Sequence, residues 1–258
     1  MNYWSTGQIP YSWLPKSVTL KWSGMDHIES YNKNPRKSDW DNVNLSYQYN
    51  PQGFRCPDLN NFLGKPVNIA LGCSFTEGVG LPVESAWPSL IEQQVEHPVL
   101  NLGLGGGSTD AVARVLTNVS GLFDIQTVYI LWPPLHRLEC YKVFDESYTL
   151  ITQKVYKNGQ PIEPKTKIHK VETVYPMDSS LEHVWALSDE MNSQRLNRNM
   201  LTVDLLAQNF GYQIKQITVD GIIPRVRNKP LEELDFARDG VHWGIETQKE
   251  IAKLLLDN

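Results

Sequence analysis

Three short apolar runs constrain the fold of this chain more than anything else: residues 67–71 (VNIAL), 98–102 (PVLNL) and 127–132 (TVYILW). Each has the length of a single strand and ends abruptly, at Gly72, at Gly103 and at Pro133-Pro134. Residues 85–95 after the first run read as a short helix, with Ser85 as N-cap and Pro88 in its first turn. Residues 111–119 follow the second run with Ala, Val and Leu at helical spacing, capped by Ser108 or Asp110. Residues 188–210 read as a long helix with Ser188 as cap, Glu190 in the first turn and Gly211 at its stop. A fourth strand over 212–219 and a last helix over 244–256 complete the alternation. Four parallel strands with covering helices make a three-layer α/β sandwich the simplest architecture.

Two stretches depart from this rhythm. Residues 1–60 carry many rings, among them Trp4, Trp13, Trp22, Trp40, Tyr47 and Tyr49, without a helical or strand period. They read as a loop-like extension wrapped over a main domain of residues 61–258, or alternatively as a source of ring faces for stacking a sugar. In the turn at 50–55, marked by Pro51 and Gly53, Arg55 either binds an anion or caps a loop. Residues 141–185 alternate in short patches and read as a β-rich insertion or lid.

Several function classes fall away. With a formal net charge of -5 over 258 residues there is no broad basic field, so no nucleic acid partner is expected. No apolar run reaches the roughly 18–20 residues that span a bilayer, and the N-terminus lacks a charged-then-apolar leader. A cytoplasmic protein without a membrane partner, or one carried by an assembly that needs no signal peptide, is expected. The three cysteines show no CxxC spacing and the six histidines no HExxH, so no metal site is expected. The glycine loops do not read as nucleotide sites: Gly103-x-Gly105 lacks the third glycine, and Gly72 to Gly78 lacks the lysine of a phosphate loop.

The chemistry-bearing residues lie at the strand ends. Ser74 stands just past the first strand, and ligands of open α/β sheets bind there. A serine alcohol is a weak nucleophile at neutral pH; it needs a base within hydrogen-bond reach and a third group to hold that base. Asp239-x-x-His242, before the last helix and on the same rim, supplies both. Alone, Ser74 reads as a turn serine and Asp239 as a capping residue beside a histidine; their combination is what points to nucleophilic catalysis.

Gly72-Cys73-Ser74-Phe75-Thr76, the glycine loop from Asn101 to Gly106, and Asp239-x-x-His242 resemble, in that order, the sequence blocks of the SGNH/GDSL hydrolases. The resemblance covers roughly residues 48–258. It implies a flavodoxin-like α/β/α sandwich with a mainly parallel sheet, and a serine esterase or lipase without a cofactor. It makes Ser74 the nucleophile, His242 the general base and acid, and Asp239 the residue that orients the histidine. The Ser74 and Gly106 backbone N–H groups become the oxyanion donors.

Two positions depart from the family pattern. Cys73 stands where aspartate is usual, and Trp132-Pro-Pro-Leu-His-Arg137 stands where a Gly-x-Asn-Asp block would carry the third oxyanion donor. His136 or Arg137 is then the candidate replacement donor or substrate contact, with pairing to Glu139 as the structural alternative for Arg137. The expected substrate is a small-molecule or glycan ester, an O-acetylated carbohydrate above all. The alternatives are an inactive binding or assembly protein on the same fold, and an acyltransferase using the same triad.

Overall fold

The computed structural model describes residues 5–6, 9–10, 12, 14–135, 137–144, 147–151, 156–157, 160–161, 173–174, 189–219, 231 and 233–258. At its centre is a four-stranded sheet of β3 (Pro66–Leu71), β4 (Val99–Asn101), β5 (Asp124–Trp132) and β8 (Gln213–Thr218). The strands run in the order β8-β5-β3-β4, and every neighbouring pair is parallel.

Both faces of the sheet are covered, which is why its strands read as near-continuous apolar runs. On one face Val67, Ile69 and Leu71 of β3 and Val128, Ile130 and Trp132 of β5 form one core. Ala111, Val112, Val115 and Leu116 of α4 (Thr109–Val119) and Leu196, Met200 and Val203 of α5 (Asp189–Phe210) pack onto it. The alternate residues Ala70, Tyr129 and Leu131 face the other way, against Trp87 and Ile91 of α3 (Trp87–Glu92) and Ile251, Ala252 and Leu255 of α6 (Ile245–Asp257). The period-2 alternation of each strand thus divides one sheet between two cores. The result is the three-layer α/β/α sandwich with a parallel sheet expected from the sequence.

Local chemistry sets the helix boundaries. Ser108 caps α4 by accepting from Ala111 N, and Pro88 stands in the first turn of α3. Ser85 is not the N-cap of α3: residues Val83–Ser85 close a 3-10 turn first, so Ala86 takes the cap position without a side-chain hydrogen bond. At the end of α5 Gly211 adopts a left-handed φ of 82°, while the Ser188 cap lies outside the described residues.

The N-terminal region has more regular structure than its loop-like sequence suggests. β1 (Val18–Leu20) pairs antiparallel with β2 (Tyr47–Tyr49), and α1 (Ile28–Lys33) lies between them in sequence, capped by His27. Trp40, Tyr47 and Tyr49 are buried. Their rings therefore do not present a stacking face for a sugar, and the Trp22 ring is covered by the Arg238 guanidinium, 4.1 Å from its centroid. Trp4 and Trp13 lie outside the described residues. Within the 141–185 stretch, β6 (Leu138–Phe144) and β7 (Ser147–Ile151) form an antiparallel pair, and most of the remaining lid candidate lies outside the described residues.

The loop after β4 is pressed against the short helix α2 (Ser74–Glu77). A Cβ on Gly103 would lie 2.5 Å from Glu77 N and 2.8 Å from the Thr76 carbonyl carbon. Those neighbours are backbone and cannot rotate away. Gly103→Ala is expected to destabilise the fold by about 1–3 kcal/mol, the usual penalty of overpacking. Urea unfolding should show a lower midpoint at unchanged slope; an unchanged midpoint would show that the two loops separate freely.

Candidate active site

The chain reaches Ser74 through a turn with no room for side chains. A Cβ on Gly72 would lie 2.1 Å from Thr76 Oγ1 and 2.7 Å from Leu131 O. Cys73 then occupies the N-cap and Ser74 is the first residue of α2, which ends at Gly78 in a left-handed conformation with its N–H donating to Ser74 O. Arg55 fixes the exit of this helix. Its Nη1 donates to Gly78 O (2.6 Å) and Glu77 O (3.3 Å), and its Nη2 to Leu81 O (2.7 Å) and Ser46 O (3.0 Å). Of the two roles open to Arg55, the structure assigns loop capping.

Residues 237–242 form the second half. Ala237 N donates to His242 O, Gly240 N donates to Ala237 O, and Gly240 turns the chain at a φ of 68°. Within this turn Asp239 Oδ1 accepts from Val241 N (3.0 Å) and His242 N (2.9 Å). Its Oδ2 meets His242 Nδ1 at 2.5 Å, and His242 Nε2 lies 2.8 Å from Ser74 Oγ. With Nδ1–H directed at the carboxylate, Nε2 is left to accept from the Ser74 hydroxyl, which is the tautomer a general base requires. Phe75 stacks on Trp243 at 4.2 Å and sets its edge against the His242 ring at 5.3 Å, so the imidazole is held laterally as well.

Burial pushes the Asp239 carboxyl up, but the His242 ring N–H, the imidazole charge and the two backbone N–H donors outweigh it and hold Asp239 below the usual carboxylate value. Asp239, Ser74 and His242 are 2%, 6% and 7% exposed, so the three groups work in a largely water-excluded setting.

The glycine loop borders the serine. Gly107 N donates to Leu104 O across a turn in which Gly106 has a φ of 74°, as that turn position demands. Leu104 N donates to Gly72 O. Asn101 ties the loop to α2, its Nδ2 donating to Thr76 O (2.8 Å) while its Oδ1 accepts from Gly103 N (3.0 Å). Arg137 reaches the same loop through Nη1 to Gly107 O at 3.4 Å. Glu139, offered by the sequence as the partner of Arg137, is bound by Arg114 at 2.7 Å. His136 lies outside the described residues.

Sequence reasoning missed several buried polar groups that hold these loops. Glu77 accepts from Tyr49 O–H (2.5 Å) and from Gly105 N–H. Burial raises its carboxyl above the usual range, against the opposing pull of Tyr49, the Arg55 guanidinium and the Gly105 N–H. Asp26 and Asn34 bind the segment just before Asp239. The position of Glu77 three residues after Ser74 was a local signal; Asp26 and Asn34 had none. Among the described residues no cluster of His, Cys, Asp and Glu is arranged to hold a metal, and no helix is long and apolar enough to cross a membrane.

The structure is similar to that of TesA. The match has a TM-score of 0.41 at 10% identity and covers 74% of this chain and 96% of that one. A member of the lipolytic protein G-D-S-L family from Veillonella parvula DSM 2008 gives a TM-score of 0.34 at 12% identity, covering 75% and 97%. No protein-family model and no curated protein matches the sequence.

Because the folded-state value of Asp239 lies below its unfolded value, its stabilising contribution is complete above the unfolded value, about 3.9, and is lost as pH falls through the folded one. Asp239→Asn removes this dependence. Urea unfolding between pH 7 and pH 3 should show wild type losing its advantage over Asp239→Asn as the acid limb is entered; a difference that stays constant would contradict the lowered carboxyl.

Proposed function

We propose that the protein is a serine hydrolase of the SGNH/GDSL type that cleaves carboxylic esters. The observation that carries this reading is the continuous chain of contacts from Ser74 Oγ through both His242 nitrogens to Asp239. His242 Nε2 takes the Ser74 proton as Oγ attacks the acyl carbon, and the imidazolium that forms is stabilised by Asp239. Ser74 N–H and Gly106 N–H receive the oxygen of the tetrahedral intermediate. The intermediate collapses, His242 returns the proton to the leaving alkoxide, and water attacks the acyl-enzyme by the same route to release the acid and free Ser74.

The low exposure of Ser74 supports a short acyl group such as acetyl. A carbohydrate as the alcohol would draw on the chain's many aromatics, among them the rings Trp4, Trp13, Trp22, Trp40, Tyr47 and Tyr49 of the extension. Three of those rings are buried and give it no support. Acyl transfer to a second alcohol would use the same three residues, and product mixtures with and without an acceptor sugar distinguish it from hydrolysis. The binding-protein alternative draws nothing from a serine and histidine 2.8 Å apart.

Hydrolysis of p-nitrophenyl acetate provides the test. Ser74→Ala and His242→Ala should each lower kcat by at least about 10⁴-fold, since removing a triad member leaves only the contribution of the oxyanion site and binding. Equal rates for wild type and Ser74→Ala would overturn the reading.

A further inference from the structure

The turn that carries Asp239 and His242 is held from outside the sandwich, by the N-terminal region. Asp26 is fully buried and Arg238 is 4% exposed, and they face each other in a forked ion pair. Arg238 Nε donates to Asp26 Oδ1 at 3.0 Å and to Oδ2 at 3.2 Å, and Nη2 donates to Oδ2 at 2.5 Å. Nη2 also donates to Lys21 O at 2.8 Å, and the Trp22 ring covers the guanidinium. Beside the pair, Asn34 Nδ2 donates to Ala237 O and Arg238 O, both at 3.1 Å.

Asp26 also reaches the serine side. It accepts from Tyr47 O–H at 2.5 Å; Tyr47 Oη in turn accepts from Gly80 N at 2.7 Å; and Gly80 O accepts from Arg238 N at 3.0 Å. The bonds close a ring: Asp26, Tyr47, Gly80, Arg238 and back to Asp26. One corner of that ring, Gly80, lies in the loop that leaves α2, and another, Arg238, is covalently joined to Asp239. The distance between the serine half and the histidine half of the site is therefore fixed partly by a carboxylate more than two hundred residues away in sequence from its arginine partner.

We infer that Asp26 is a positioning residue: through Arg238 and Tyr47 it sets the register of the Asp239–His242 turn against the Ser74 loop. This inference rests on the hydrolase reading for its consequence, though not for its geometry. The hydroxyl-to-imidazole contact of 2.8 Å tolerates little displacement. Productive geometry is lost steeply with distance, so a shift of about 1 Å in the turn is enough to lower the rate about 100-fold. Substrate binding does not involve Asp26, whose side chain is wholly enclosed.

The test compares wild type, Asp26→Asn and the double variant Asp26→Leu/Arg238→Met, which removes both buried charges and so leaves no orphaned ion. Three quantities are read: kcat and KM on p-nitrophenyl acetate, the rate of Ser74 labelling by a fluorophosphonate, and the low-field proton resonance of His242 Nδ1–H, identified by its loss in Asp239→Asn. Folded variants should show kcat and labelling reduced about 10- to 100-fold, with KM within about twofold of wild type. The low-field resonance should broaden or disappear. A variant that is merely less stable, yet folded at the assay temperature, would keep all three. If Asp26→Asn does not fold, the double variant decides. A folded variant with wild-type labelling and an intact resonance overturns the inference. Should wild type itself fail to label at Ser74, the hydrolase reading falls, and the resonance alone still reports whether Asp26 holds the turn.

Discussion

The parallel pairing of β3 with β5 is the constraint on which the rest depends. Val67, Ile69 and Leu71 bury one face of β3 and Ala70 the other, and the strand's polar side chain, Asn68, is buried and donates to His97 O. Chemistry is confined to the carboxyl ends, where the chain leaves the sheet. The strand order β8-β5-β3-β4 places the reversal of connection direction between β3 and β5, and Ser74 follows β3 directly. The opposite core holds α6, whose N-terminal approach carries His242 to the same rim.

Packing three loops against one another at that rim creates a polar problem that hydrophobic burial cannot solve. Carbonyls at the end of α2, the N–H groups of the glycine loop and the turn before α6 are all withdrawn from water, and an unpaired buried group costs about 1–3 kcal/mol. Each is met by a buried side chain: Arg55 for the exit of α2, Asn101 and Glu77 for the glycine loop, Asp26 and Asn34 for the turn. Arg55 alone serves four carbonyls, and its planar fork suits this role where the single ammonium of a lysine would not. The residues that hold the loops are therefore distinct from the Ser74–His242–Asp239 contacts they support. Both sets are needed for a serine and a histidine on separate segments to meet at hydrogen-bond distance.

This division explains what could be read from the sequence. The strands and helices were legible because burial on two faces writes apolar runs and helical spacing into short windows. The meeting of Ser74, His242 and Asp239 was legible because each belongs to a compact sequence block. Boundaries were less so: β5 begins at Asp124, where pairing with Pro66 overrides the poor strand preference of an aspartate. Ser85 looked like a cap but is consumed by a preceding 3-10 turn. The supporting groups were illegible for a different reason. Asp26 and Arg238, or Asn34 and Ala237, are joined only by tertiary structure, and nothing in the neighbourhood of either partner marks it. Tyr47 and Tyr49 read as ring faces for a ligand because their hydroxyls' partners, Asp26 and Glu77, lie 21 and 28 residues away, outside any local window.

If the chain works as the proposed hydrolase, the lack of the asparagine that the SGNH/GDSL pattern carries after β5 bears most on how fast the site would work. Losing one oxyanion donor typically raises the barrier by about 2.7–4 kcal/mol; on the proposed reading, unless His136 or Arg137 supplies a third donor, a hole of two backbone N–H groups would have to gain from rigidity what it lacks in number. The structure concentrates rigidity there. Gly103 is pressed onto the α2 backbone, Asn101 stitches the loop to Thr76, Leu104 bonds to Gly72, and Glu77 draws in the Gly105 N–H next to Gly106. The segment after Pro133-Pro134 is also braced: Arg195 Nη2 donates to Leu135 O at 2.7 Å and to Arg137 O at 2.8 Å. Donors held in place before the reaction need no reorganisation as charge develops, and a water-excluded setting strengthens each of them. On the proposed hydrolase reading, fixed backbone N–H groups beside a buried serine would partly offset the missing side chain.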